Sequence, residues 1–195
     1  MTAAILNETL KLTKDNPGTG HVVDYIGVTP PLNQGTPVIE VTAEKAQDAL
    51  LRFRGERVTV LNFASGVSPG GGVWFGITAQ EEELCLCSGL FHSLEQQPQF
   101  YLDNQSDEAP PECYDRMIVS EGVPLVRNGN MELVTPMMPI QVITYMAPNQ
   151  YRYRQDQREE VNSVFQRRCT HVTPLHASWT RQQVGQLNSR EGTGT

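Results

Sequence analysis

Gly70-Gly71-Gly72 and, after seven intervening residues, Gln80-Glu81-Glu82-Glu83 are the residues whose types and spacing can do chemistry. Three consecutive glycines permit positive φ and bring backbone N–H groups within hydrogen-bond distance of a ligand with no Cβ in the way, a potential anion nest. Carboxyl groups beside such a loop can act as general acid or base. A general acid needs a raised pKa, whereas a helix N-terminus favours the ionised form, so a catalytic glutamate here must be desolvated enough to overcome the dipole. Adjacent helix positions point about 100° apart, so Glu81 and Glu82 cannot aim at one ligand atom; one can do chemistry while the other holds a hydroxyl. Each feature also has a plainer account. The glycines can form a simple flexible loop after Pro69, and they match neither G-x-G-x-x-G nor G-x-x-x-x-G-K-[ST]. Thr78 and Glu81 stand as T-x-x-E, a capping box, and acidic residues in a first turn complement the helix dipole.

The elements that must position these residues are legible on both sides. Arg57 to Phe63 is a nearly continuous β-branched and apolar run, the signature of a strand buried on both faces of an α/β protein. It leads into a long loop, Ala64 to Ile77, and then a helix opening at Thr78, and this order is the general α/β solution for holding phosphate. Upstream, Ile5, Leu6, Thr9, Leu10 and Leu12 give a helix over residues 3–13, followed by a loop rich in Gly and Pro. Val38 to Val41 predicts a short strand, and Thr42 an N-cap for a helix whose stripe is Ala46, Ala49 and Leu50. Downstream, 117–120, 124–127 and 141–146 read as strands and 155–168 as a helix carrying Val161, Val164 and Phe165. Alternation of strands and helices predicts a parallel or mixed sheet with helices on its faces. Residues 169–195 hold few large apolar side chains and read as an atypical, disordered tail.

Composition bounds the function classes. The chain has 195 residues, 38% of them hydrophobic, and 22 acidic against 15 basic side chains leave a formal charge of −7. That suits one globular domain, and no apolar run approaches the roughly 18 residues of a membrane span. The acidic balance argues against direct DNA binding, since the tightest basic pair is Arg167-Arg168. Met1 to Leu10 has no basic segment ahead of its apolar residues, so a cytoplasmic location is expected. Cys85, Cys87, Cys113 and Cys169 then read as reduced thiols, and C-x-C-x4-H through His92 matches no common zinc pattern. Buried packing is expected for Cys113 and for the Met137-Met138 pair. Arg152 and Arg154 read as a solvated cluster or a contact for substrate phosphate.

The glycine triplet, the seven-residue spacer and Gln80-Glu81-Glu82, preceded by Leu61-Asn62-Phe63-Ala64-Ser65, together resemble the signature of the microbial-type poly(ADP-ribose) glycohydrolases, a catalytic branch of the macrodomain fold. The resemblance spans roughly Ala3 to Arg168 and includes Ala147-Pro148-Asn149. It implies a macrodomain-like three-layer α/β/α sandwich with a mixed sheet over residues 1–168. It also implies hydrolysis of the ribose–ribose glycosidic bond of poly(ADP-ribose), with that polymer or an ADP-ribosylated protein as partner and ADP-ribose as product. By this resemblance Glu82 is catalytic: it protonates the leaving ribose oxygen and then helps water attack the anomeric carbon. Asn62 and Glu81 hold hydroxyls of the terminal ribose, Gln80 belongs to the substrate-binding motif, and the backbone of Gly70, Gly71, Gly72 and Val73 cradles the diphosphate. No metal or other cofactor is implied. Asn62 can equally satisfy backbone at a strand end, and Gln80 can be a surface helix residue.

Family members continue past the helix at 155–168 with another buried strand, a second glycine-containing phosphate loop and an aromatic that stacks on adenine. Thr173 to Trp179 is too polar and Pro-broken to supply that strand. The expectation is therefore a domain altered or cut short at its C-terminal end. Two further readings stand beside hydrolysis: an ADP-ribose-binding macrodomain without turnover, and an inactive truncated remnant.

Overall fold

The sheet is built on two long antiparallel strands. In the computed structural model, which describes residues 2–24, 38–110, 112–146, 148 and 159–172, strand β3 (Arg116–Arg127) pairs with strand β4 (Leu133–Met146). Strand β1 (Thr19–Asp24) lies antiparallel against β3, and strand β2 (Thr59–Ala64) lies parallel to β4. The order β1-β3-β4-β2 makes a mixed four-stranded sheet. The run at 117–120 and 124–127 is thus one strand interrupted by an irregularity. Its register shifts between Ser120 and Val123, where Gly122 takes φ +65°, as a bulge requires.

Side-chain alternation divides the sheet into two faces. Ile118, Val123, Leu125, Ile140 and Val142 enter the larger core, which is covered by helices α1 (Thr2–Thr13), α3 (Gln80–Cys87), α4 (Leu90–Glu95) and α5 (Pro98–Gln105). The short helix α2 (Ala46–Arg52) joins this layer through Leu50. Met117, Ile143 and Tyr145 face the other way, where Val172 of helix α6 (159–172) packs against them. Helices on both faces of a mixed sheet make the three-layer α/β/α arrangement.

Several expectations are corrected. Val38 to Val41 is not a strand: Val38, Ile39 and Val41 are almost wholly exposed, so their β propensity finds no partner. Helix α2 starts three residues later than expected, with Lys45 at its N-cap, while Thr42 bonds Glu44 instead. Strand β2 is not buried on both faces. It is one of the two sheet edges among the described residues, and Phe63 is 45% exposed. The expected capping box is not made: α3 has Ala79 at its N-cap with no side-chain bond, because Glu81 reaches across to the loop after β2. Strand β1 lies in what reads as loop, since its alternation is obscured by Thr19, Gly20 and His21. The helix expected to end at Arg168 is still helical at 169–172, the last residues described there. Met138 is buried as expected, but Met137 is 44% exposed. Arg152, Arg154, Ala147, Asn149 and the stretch 173–195 lie outside the described residues.

Candidate active site

The site lies where the C-terminal end of β2, the glycine loop and the start of α3 meet. Gln80, at the first turn of α3, clamps the edge strand: its Nε2 donates to Leu61 O at 2.8 Å and its Oε1 accepts from Phe63 N at 2.9 Å. A carboxamide thereby takes the place of a neighbouring strand and fixes α3 against β2. One residue on, Glu81 Oε2 accepts from Ser65 N at 2.7 Å, and Glu82 Oε1 accepts from Gly72 N at 2.8 Å. Successive side chains of one helical turn thus hold the strand, the loop after it and the glycine segment.

The glycines are required by sterics as well as by backbone angle. Gly70 and Gly71 have φ +67° and +56°, and a Cβ on Gly71 would stand 2.4 Å from Glu82 Oε1. A Cβ on Gly70 would meet the Phe91 ring at 2.7 Å. The loop's N–H groups are employed internally: Gly71 N donates to Ser68 O, Val73 N to Gly70 O, and Gly72 N to Glu82. The anion this nest holds here is therefore a carboxylate of the protein itself. Val73, the first residue of a 3₁₀ turn (Val73–Phe75), is completely buried, whereas Phe75 is 89% exposed beside it.

Glu81 and Glu82 are both buried, at 3% and 6% exposure, and Asn62 is completely so. Asn62 projects from β2 opposite Thr144 of β4 and donates to its Oγ1 at 3.2 Å. Burial pushes the Glu81 carboxyl up to about 7, despite the N–H of Ser65 and the weaker pull of Asn62 and Gly70; the charge of Glu82 adds to the rise. Desolvation at a helix start can thus outweigh the dipole, but at Glu81. The structure brings Asn62, Gln80, Glu81, Glu82 and the glycines into one cluster. Sequence reasoning missed the part of Ser65, which is legible only as a small polar residue after a strand.

A family model for the microbial-type PARG catalytic domain matches residues 5–128, which contain every member of this cluster except Thr144. The chain belongs to the microbial-type poly(ADP-ribose) glycohydrolase (PARG) family. It is similar in structure to a PARG from Thermomonospora curvata, at 28% identity and a TM-score of 0.78, covering 92% of this chain and 76% of that one. A second structure of that PARG, bound to the inhibitor ADP-HPD, gives a TM-score of 0.74 at the same identity, with 92% and 75% covered. A PARG from Deinococcus radiodurans in complex with ADP-ribose matches at 32% identity and a TM-score of 0.63, over 72% of this chain and 57% of that one. No curated protein matches the sequence.

The remaining candidate groups of this PARG-family chain are structural. Cys85 lies under Gly70, and burial, followed by the charges of Glu81 and Glu82, pushes its thiol well above the ordinary range. Cys87 Sγ contacts Asn128 O, and the His92 ring bonds Leu10 O, so these residues serve different neighbours. Among the described residues no group of three or more His, Cys, Asp or Glu can hold a metal ion, and no helix is long and apolar enough to cross a membrane.

Proposed function

We propose that this chain hydrolyses the ribose–ribose bond of poly(ADP-ribose) as a glycosidase and that Glu82 is its catalytic residue. The observation that carries the assignment is the 2.8 Å bond from Gly72 N to Glu82 Oε1. It fixes one oxygen of a nearly buried carboxyl and leaves the other for the reacting centre. In this reading Glu82 Oε2 gives a proton to the leaving ribose oxygen and then takes one from the attacking water. Glu81 Oε2, beside Ser65, retains a lone pair for a hydroxyl of the terminal ribose. Asn62 has no exposed surface and donates to Thr144, so as it stands it supports the floor of the site. The diphosphate lies along Gly70 to Val73, and binding there requires at least one N–H to exchange an internal partner for a phosphate oxygen. The family resemblance supports these placements, and the ADP-ribose complex of the Deinococcus relative supports ADP-ribose as the ligand.

The reading carries a single domain over residues 1–168 together with the remainder of α6, acting in the cytoplasm on the polymer or on ADP-ribosylated protein. The test is release of ADP-ribose from poly(ADP-ribose) by the 195-residue chain with Glu82→Gln alongside. We expect turnover in the wild type and a loss of about 10²–10⁴-fold in the variant, the range of a lost general acid–base group. Equal turnover in both would overturn the role of Glu82. ADP-ribose binding without turnover in the wild type would replace hydrolysis with a binding function.

A further inference from the structure

Directly after the glycine segment, large apolar side chains stand open to solvent: Phe75 is 89% exposed, and Trp74 and Ile77 are each about half-exposed. Single exposed apolar residues are common, whereas several on one short turn form the kind of patch that serves recognition. Their placement is fixed through Gly72. Its carbonyl accepts from Phe75 N at 2.9 Å and from Ile77 N at 3.3 Å, while its own N–H donates to Glu82 Oε1 at 2.8 Å. The Ile77 side chain lies on Gly72 itself, its Cδ1 only 2.3 Å from where a Cβ on that glycine would stand. One residue thus ties an apolar ridge to the carboxyl assigned above to the chemistry.

The turn that carries the ridge is held firmly. Val73 is completely buried, and Trp74 packs edge-on to Phe91 with ring centroids 5.7 Å apart. Gly76 closes the turn with φ +78° and its N–H on Val73 O. Phe75 itself gains almost nothing from folding, since so little of its ring leaves water. No Lys or Arg occurs between Ser65 and Glu83, so the ridge offers a flat apolar contact and no cationic one.

The reaction proposed above supplies an occupant of that chemistry. The ribose–ribose bond of poly(ADP-ribose) joins the terminal ribose to the adenosine ribose of the next unit, so the leaving group carries an adenine one sugar away from the scissile oxygen. A nucleobase stacks on an aromatic face. We propose that Phe75, flanked by Ile77, stacks on the adenine of the leaving unit and makes this site prefer polymer to single ADP-ribose. The proposal rests on the reading that Glu82 acts on the ribose–ribose bond, and it adds a contact on the leaving side of that bond.

The experiment measures equilibrium binding to the full chain carrying Glu82→Gln, so that ligand is not consumed. The probes are ADP-ribose and a dimer of two ADP-ribose units joined by the ribose–ribose bond. Adding Phe75→Ala should weaken the dimer by about 5–100-fold, the worth of one stacked base, and leave ADP-ribose unchanged. Phe75→Trp should keep the dimer affinity, which a merely structural role for Phe75 does not predict. Equal losses for both ligands, or no loss for the dimer, would overturn the proposal. An undiminished dimer affinity with slower release of ADP-ribose from modified protein would overturn it in favour of a protein contact. If the dimer binds through Phe75 and the chain without Glu82→Gln does not cleave it, the hydrolytic reading fails while the stacking contact stands. Failure of both ligands to bind would overturn both.

Discussion

Glu81 and Glu82 are neighbours in sequence, and what separates them is the partner each finds. Glu82 is held by Gly72, a bond possible only because Gly71 carries no Cβ. Glu81 faces Ser65 with one oxygen and the core with the other, and its carboxyl is raised to about 7 chiefly by burial. That rise has a consequence for stability. Below about pH 4.5 both folded and unfolded chains keep the Glu81 proton; between 4.5 and 7 the unfolded chain loses it first, so stability falls as pH rises through this window. The shift corresponds to roughly 3 kcal/mol at its upper bound. Glu81→Gln is therefore expected to melt at a higher temperature than wild type at pH 8, with the gap closing toward pH 4.5. Thermal unfolding of both proteins across that range checks it, and a gap that is constant with pH would count against a buried, proton-hungry Glu81.

At the level of elements, the decisive contact is the Gln80 clamp between α3 and β2. Strand β2 has β4 on one side only among the described residues, and the Gln80 carboxamide supplies a donor and an acceptor to the other. Because Gln80 opens the helix that carries Glu81 and Glu82, the same two bonds set that first turn against the strand that carries Asn62. Gln80→Ala should destabilise the chain by about 1–2 kcal/mol, two net hydrogen bonds, in urea unfolding. It should also lower kcat more than it raises KM, because it moves the groups proposed to be catalytic and not the outer wall. An unchanged kcat would mean that the core face of α3, through Leu84 and Cys85, and the bonds of Glu81 and Glu82 position the turn without Gln80.

Across the whole molecule, helix α6 is fastened to the sheet by charge. Arg168, with a side chain only 4% exposed, bonds Asp115 at 3.0 Å as well as the carbonyls of Met146, Glu112 and Cys113. Arg167 takes the other oxygen of Asp115, and Tyr145 Oη approaches both Asp115 and His171. Burial tends to raise the Asp115 carboxyl, but the hydrogen bonds from Arg167 and Arg168 hold it below the usual range. Asp115→Ala leaves a buried guanidinium without its counter-ion, at a cost of about 3–5 kcal/mol. Loss of the second helical layer should follow, read as a lower melting temperature and as proteolysis within α6 while α1 stays protected. A variant as stable as wild type would show that the carbonyl bonds of Arg168 suffice.

Much of the local pattern was decided by sequence alone. The glycine triplet, the Gln80-Glu81-Glu82 turn and the strand read at 57–63 follow from residue types whose backbone freedom and periodicity are local properties, and they suffice to identify the family. Helix α1 and the end of β4 were legible for the same reason, as repeating apolar patterns. Tertiary structure decided which pattern was used for what. Val38 to Val41 has the composition of a strand and no sheet to join. The T-x-x-E at Thr78 has the form of a cap, yet its glutamate is drawn to Ser65, 16 residues back in the chain. The glycine N–H groups suit a phosphate and are engaged by Glu82 and by loop carbonyls. Burial, edge position and hydrogen-bond competition depend on what residues distant in sequence bring alongside, and for Glu81 that neighbourhood sets the proton affinity.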